Sequence, residues 1–218
     1  MNNQTHNKTK IWFENQAEDY IKQKYRYTGI RRIQVLQKYI FGKVLELGSS
    51  EKLTPLLHKN SKSSIILDIS FNILKKTTIT KNSFLINGDG TKLPFKSNSF
   101  DTIICSETIY YFDKPIEFIK EAKRVLKKNG TLLVVNLNPF WFFTMSIWVL
   151  LGLVNKDDCN YVKNKIPYAK KVKKWMRKEK FKNIDIKGFC VIPLKHFEIL
   201  DKTPLQMFGF IKLIKGRK

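Results

Sequence analysis

The sequence predicts an α/β fold built on a mostly parallel sheet, and three observations predict it. Short apolar runs alternate with segments whose apolar residues recur at helical spacing, the pattern of repeated βαβ units. The runs are almost continuously apolar, as strands covered on both faces must be. With 218 residues, 43% of them hydrophobic, the chain is long and apolar enough to bury one substantial core.

In chain order, residues 11–40 read as two helices. Ile11, Phe13, Ala17, Tyr20 and Ile21 share one stripe, Ile30, Ile33, Leu36, Ile40 and Phe41 another, and Gly42 supplies a stop. Lys43–Leu47 is a strand and 53–59 a short helix. Ser64–Asp68 is a strand, 71–78 a helix and Phe84–Ile86 a short strand. Thr102–Cys105 is a buried strand entered through Phe100 and Asp101. Residues 115–127 form a strongly patterned helix with Ile116, Ile119, Ala122, Val125 and Leu126 on one face. Asn129 and Gly130 turn into the strand Thr131–Val135. After the apolar stretch 139–154 come a basic helix over 168–180, a polar, interrupted strand at Asn183–Ile186, and a final strand over Met207–Ile214 before the basic tail Lys215–Lys218. No internal repeat or low-complexity linker appears. The economical division is therefore one domain, 1–218, with a polar tail over 1–10, lid helices over 11–41 and an insertion over 139–181.

Composition bounds the surroundings. The chain has 41 Lys+Arg against 18 Asp+Glu, a formal charge of +23. Such an excess suits a polyanion, either nucleic acid or an anionic membrane, although lysines coating a surface give the same number. The three cysteines, Cys105, Cys159 and Cys190, make neither a metal motif nor a disulfide framework, which favours a reducing, cytoplasmic setting. Residues 1–10 lack the apolar centre of a secretory signal. Phe140–Val154 is almost wholly apolar, but as a helix it spans only about 22 Å, against a hydrocarbon core of roughly 30 Å.

The chemistry is expected at strand ends. In an open parallel sheet ligands bind beyond the carboxyl ends of strands, beside the first βα turn. That turn reads Leu45-Glu46-Leu47-Gly48-Ser49-Ser50-Glu51, and Gly48 allows close backbone approach. Asp68, closing the second strand, is placed to accept from ribose hydroxyls. Ser50 and Leu53 stand where a dinucleotide-binding glycine fingerprint needs glycines, which argues against a NAD or FAD pyrophosphate here. Gly88-Asp89-Gly90 follows the third strand, Leu93-Pro94-Phe95 and Ser99-Phe100-Asp101 lead into the fourth, and Cys105-Ser106-Glu107 ends it. Arg124 to Gly130 leads into the fifth.

In these motifs, from about Trp12 to the C-terminus, the chain resembles the class I S-adenosylmethionine-dependent methyltransferases, and among them the ubiquinone and menaquinone biosynthesis methyltransferases. The resemblance implies a Rossmann-like three-layer α/β/α sandwich, with a mostly parallel seven-stranded sheet and an antiparallel C-terminal strand. It implies S-adenosyl-L-methionine as cofactor, with Gly48 and Ser50 in the turn under its methionine part and Glu46 holding its ammonium group through water. Asp68 would take the ribose, Ile69 the adenine face, and Asp89 and Gly90 the adenine edge. Cys105 and Ser106 would line the methionine end, and Tyr20 would close as a lid. A sulfonium cation suits carboxylates, carbonyls and aromatic faces, and its methyl needs mainly an acceptor positioned in line. Ser50, Glu51 and Lys52 replace the further glycines usual in the family, so a binding protein that has kept the fold without catalysis is an alternative. Tyr110 and Tyr111 stand where many relatives have a histidine. Tyr111 can only orient an acceptor or act as a weak base, and both tyrosines also read as wall residues.

The acceptor side is expected in the insertion. Trp141, Phe142, Phe143 and Trp148 lie beside a helix rich in lysine, as in a protein seated on an anionic membrane. The same residues also read as a helix packed on the sheet and coated with lysine. A small or lipid-linked hydrophobic acceptor follows from the first reading. An RNA methyltransferase is the rival, without an appended recognition domain to support it.

Overall fold

The structure, a computed structural model, describes residues 9–15, 27–49, 53–140, 150, 166–189 and 195–218. Its centre is a seven-stranded sheet in the order β3-β2-β1-β4-β5-β7-β6. The strands are β1 (Lys43–Leu47), β2 (Ser63–Asp68), β3 (Ser83–Asn87), β4 (Phe100–Ser106), β5 (Leu126–Leu137), β6 (Lys182–Phe189) and β7 (Ile211–Arg217). The β1, β2, β3, β4 and β5 pairings are parallel, and β7 lies antiparallel between β5 and β6. This is the mixed sheet that the family resemblance implies.

Helices cover both faces, and the pleat decides which residues they meet. On one face Leu45, Leu47, Ile103, Leu132 and Val134 pack under helix α5 (Pro115–Val125) and the basic helix α6 (Ala169–Lys178). α5 buries Phe118, Ile119, Ala122 and Val125, and α6 buries Val172 and Met176. Full burial of each large apolar side chain contributes about 1.5–3 kcal/mol. On the other face Val44, Ile104, Leu133 and Val135 meet Ile33 and Leu36 of α2 (Tyr27–Gln37) and Leu57 of α3 (Thr54–Leu57). A short helix, α1, spans 9–15 and so takes in Thr9 and Lys10, the end of the stretch read as a polar tail. α4 (Phe71–Lys76) follows β2.

Three strand assignments move. β5 begins at Leu126, which pairs with Phe100 of β4, so Leu126 and Lys127 leave the helix expected over 115–127, and Asn129 and Gly130 lie within the strand rather than in a turn before it. The last strand begins at Ile211, because Pro204–Phe208 winds into a 3₁₀ turn. Thr203 caps that turn by accepting from the Leu205 amide, and Gly209 runs too close to the Phe189 backbone to carry a Cβ. Lys215 and Arg217 therefore belong to β7, not to a tail. β6 extends to eight residues despite its polar interruptions, because it is the edge strand and one side of it faces solvent.

The order 2-1-4 makes β1 the switch point. Chain connections leave it toward β2 on one side and return to β4 on the other, opening a cleft beyond its carboxyl end.

Candidate active site

A cavity of about 640 Å³ occupies that cleft. Its floor is made by strand ends: Leu47, Gly48 and Ser49 after β1, Asp68 and Ile69 after β2, Gly88 to Lys92 after β3, and Ser106 to Thr108 after β4. Thr9 and Phe13 of α1 and Arg32 of α2 enter from the N-terminal side, and Tyr111 to Lys114 and Glu117 form the opposite wall.

Two glycines shape the floor. Gly48 has φ +76° and a Cβ there would fall on the Thr108 side chain. The Thr108 hydroxyl is already committed to the carbonyls of Leu47 and Ser106, 3.0 Å from each, so it cannot step aside freely. At Gly90 a Cβ would meet the Phe112 ring at 2.7 Å. Both positions need a bare backbone.

Asp68 is the central polar group. It is 7% exposed, its Oδ2 accepts from the Ser49 amide and its Oδ1 from the Ser70 amide, each at 2.8 Å. Burial pushes its carboxyl up to about 6, with the negative charges of Glu46 and Glu14 adding and the two amide bonds opposing. Each oxygen keeps a lone pair for a second donor. The Asn87 side-chain amide donates to the carbonyls of Asp68 (3.0 Å) and Ile69 (2.9 Å), which fastens the β2 and β3 ends together. Asp89 closes the next turn by accepting from the amide and hydroxyl of Thr91, both at 2.8 Å. Ser106 contributes a buried hydroxyl that makes no hydrogen bond to any described residue, on the cavity wall.

The structure thus brings Gly48, Asp68, Ile69, Asp89, Gly90, Ser106 and Tyr111 to one cavity. Two other predicted residues stand apart from its wall. Glu46 is fully buried on the α2–α3 side of the sheet, where its carboxylate meets His58 Nε2 at 2.7 Å. The cause is the pleat: Glu46 shares a face with Val44, while Leu45 and Leu47 share the other. Cys105 is fully buried under the α5 layer, and burial drives its thiol far above the usual range. Tyr20 and Ser50 lie outside the described residues.

Several wall residues have no local signature in the sequence. Arg32 Nη1 meets Glu107 Oε1 at 2.7 Å across the cavity mouth, and Glu107 adopts φ +55°. The Phe13 and Trp12 rings pack on Tyr111, with centroids 4.8 Å and 6.5 Å away. Glu14 fixes α1 in place. Its carboxylate accepts from the Phe71 amide (2.9 Å), the Asn72 amide (3.0 Å) and the Ser70 hydroxyl (3.1 Å). Burial opposes its ionisation, but these bonds and the Lys10 charge hold its carboxyl below the usual range. A paired arginine and glutamate, or a glutamate in a terminal helix, is common in any sequence; only the distant partners make these informative. Among the described residues no group of three His, Cys, Asp or Glu side chains is placed to hold a metal ion.

Comparison with known proteins gives the same picture. A family pattern described as a methyltransferase domain matches residues 45–134, the segment from β1 into β5 that supplies most of the cavity floor. The chain is 27% identical over 155 residues to a chloroplastic 2-methyl-6-phytyl-1,4-hydroquinone methyltransferase of Oryza sativa, covering 66% of this chain and 42% of the relative. It is 24% identical over 142 residues to the demethylmenaquinone methyltransferase of Staphylococcus saprophyticus, covering 56% and 61%. The matched stretches span about two fifths and three fifths of the length of these curated relatives. In fold it is similar to a solved SAM-dependent methyltransferase from Thermotoga maritima, with TM-score 0.68 and 20% identity, covering 94% of this chain and 98% of that one.

Proposed function

We propose that the chain, which matches a methyltransferase-domain pattern over 45–134 and is similar in fold to S-adenosylmethionine-dependent methyltransferases, transfers the methyl group of S-adenosyl-L-methionine to a small hydrophobic acceptor of the hydroquinone kind. The observation that carries the reading is the Asp68 carboxylate, held by two amides beside the bare backbone of Gly48 at the switch point of the sheet. The donor set fits the cofactor. Asp68 offers two lone pairs to a ribose diol, and Ile69 flanks it with apolar surface. Asp89 and Gly90 offer an acceptor and an open backbone for an adenine edge. Arg32 supplies a cation for a carboxylate near the β4 end.

When bound, the cofactor supplies a methyl group already activated on a sulfonium centre. The chain's task is then placement and exclusion of water. Phe13 and Tyr111 form an aromatic wall against which a planar acceptor ring can lie, and the Tyr111 hydroxyl can orient it. Ser106 borders the same space, and its buried hydroxyl has hydrogen-bonding capacity unspent among the described residues. The hydroquinone names of the relatives support a ring acceptor with an apolar tail, and that tail suggests work at a membrane surface. Of the segment 139–154 that the sequence offers for membrane contact, 141–149 and 151–154 lie outside the described residues. Among the described residues no helix is long and apolar enough to cross a membrane.

Calorimetry with S-adenosylmethionine, S-adenosylhomocysteine and NAD tests the cofactor. Both sulfur compounds should bind, NAD should not, and Asp68→Ala should abolish measurable binding. Failure of both sulfur compounds to bind would leave the fold as a binding module without this activity. Transfer of labelled methyl to a panel of hydroquinones, phenols and structured RNA then identifies the acceptor class, and methylation of RNA alone would refute the hydrophobic acceptor.

A further inference from the structure

Among the described residues the cations lining the cavity are Arg32, Lys92 and Lys114. Cations concentrate on another surface, the outer face of the α5–α6 layer. Between Ala169 and Lys182 the sequence has eight cations and one acid, Glu179. Lys170, Lys171, Lys174, Arg177 and Lys178 of α6 are exposed, as are Lys180 and Lys182 just after it. Elsewhere on this layer cations are matched by acids: Lys120 with Glu117, Arg124 with Glu121, and Lys127 with Asp101. Around α6 they are not, and among the described residues no carboxylate is paired with its exposed cations. The crowding reaches α5, where burial and then the charges of Lys218 and Lys182 hold the Lys123 ammonium below its usual range.

The geometry points to a peripheral docking face for an anionic lipid bilayer, and we propose that α6 with the Lys180–Lys182 turn is that face. Three features favour lipid. First, α6 has its apolar residues Val172 and Met176 fully buried in the core, so its outer side offers charge rather than an inserting stripe. A convex lysine surface matches a flat array of mobile headgroups. Nucleic-acid recognition draws on side chains reaching base edges or on several rings on which bases stack, and among the described residues this face exposes a single ring, Tyr168. Second, the exposed aromatic of this face is of the interfacial kind: Tyr168 is 60% exposed at the start of α6, while the Trp175 ring, half-buried against the core, lies under the Lys171 ammonium at 5.5 Å. Third, the face begins on the side of the sheet toward which the cavity opens. Asn136, near the carboxyl end of β5, donates to the Pro167 carbonyl and ties the start of α6 to the carboxyl-end side of the sheet. A protein seated on α6 would hold the cavity mouth near the bilayer. This inference rests on the proposed hydrophobic acceptor, whose tail would be dissolved in that bilayer.

The test is co-sedimentation of the full chain with vesicles of phosphatidylcholine alone, and with an equimolar mixture of phosphatidylcholine and phosphatidylglycerol. Binding is expected only to the mixture and should fade with added salt. Each lysine near such a surface changes partition about fivefold, so Lys170→Glu/Lys171→Glu/Lys174→Glu should weaken it at least about a hundredfold. All three side chains are exposed, so S-adenosylhomocysteine affinity should be unchanged, which also shows that the variant is folded. Equal binding to both vesicle types, undiminished binding by the variant, or a preference for structured RNA over mixed vesicles at the same ionic strength would overturn the proposal. Loss of cofactor binding in the unmodified chain would instead refute the methyltransferase reading and leave the vesicle result standing by itself.

Discussion

Glu14 offers the sharpest perturbation. The first four amides of a helix lack intrahelical partners, and in α4 each one can be accounted for. Ser70 donates to the Asp68 carboxylate at 2.8 Å, Phe71 and Asn72 donate to Glu14, and Ile73 donates to the Ser70 hydroxyl at 3.2 Å. Half of the cap is thus supplied by a residue 57 and 58 positions earlier in the chain. The cap in turn holds α1, which puts Thr9 and Phe13 into the cavity wall. Glu14→Gln preserves the shape and removes the charge. Hydrogen bonds to a charged acceptor are worth about 1.5–3 kcal/mol each when buried, and a carboxylate at a helix start about 0.3–1 kcal/mol. Partial exposure and the one acceptor retained by glutamine reduce the net loss to about 2 kcal/mol, or about thirtyfold in an equilibrium. S-adenosylhomocysteine affinity, measured by calorimetry, should fall by about that factor, with faster dissociation in stopped flow. Because the Glu14 carboxyl is depressed below 4.5, the clasp is fully present above that pH and is lost as pH falls further. Wild-type affinity and dissociation rate in Glu14→Gln would show that α1 plays no part in enclosing the cofactor.

Two further outcomes follow from buried carboxylates. In the proposed site Asp68 would accept ribose hydroxyls when ionised, so cofactor affinity should be level above about pH 7 and about tenfold weaker near pH 5, as a group titrating at about 6 takes up its proton. In the unliganded protein the sign reverses: a carboxyl raised from 3.8 to about 6 contributes stability at low pH that is lost as pH rises through that interval. Asp68→Asn should flatten both profiles, and cofactor binding independent of pH from about 5 to 8 would contradict this role. At the other site, His58→Ala removes the imidazole that meets the fully buried Glu46 carboxylate at 2.7 Å. Removing one partner of such a pair costs about 3–5 kcal/mol, so urea denaturation should show a large loss, much of it recovered in Glu46→Leu/His58→Leu. A loss below about 1 kcal/mol in the single variant would mean that Glu46 does not depend on His58.

What could be read from the sequence follows from how local each determinant is. β1, β2 and β4 are legible because a strand buried on both faces must be apolar throughout, and Val44–Leu47, Ile65–Leu67 and Ile103–Cys105 come close to that. The floor of the cavity is legible for the same reason: Gly48, Asp68 and Asp89 sit one step beyond strands that announce themselves. Met207 and Phe208 mislead because an apolar pair does not reveal that Pro204 and the Thr203 cap have wound the backbone into a turn. Glu14 and the Arg32–Glu107 pair carry no signal, since their partners lie 56–58 and 75 positions away and only the fold brings them together. Glu46 was in principle readable. Alternation along β1 sets it with Val44, away from Leu45 and Leu47, and that alone directs its side chain to the α2–α3 layer.

The same accounting explains how a chain of charge +23 keeps a site suited to a cation. Asp68, Asp89 and Glu14 are each stabilised by backbone amides, at 2.8 to 3.0 Å. An amide supplies a donor without adding a formal positive charge beside the carboxylate. On α6, by contrast, the cations face outward: an apolar side is committed to the core and a basic side is exposed. The division of labour predicts that charge reversal on α6 and substitution of Asp68 act independently. The first should change where the protein sits and the second what it binds, with additive effects when the two are combined.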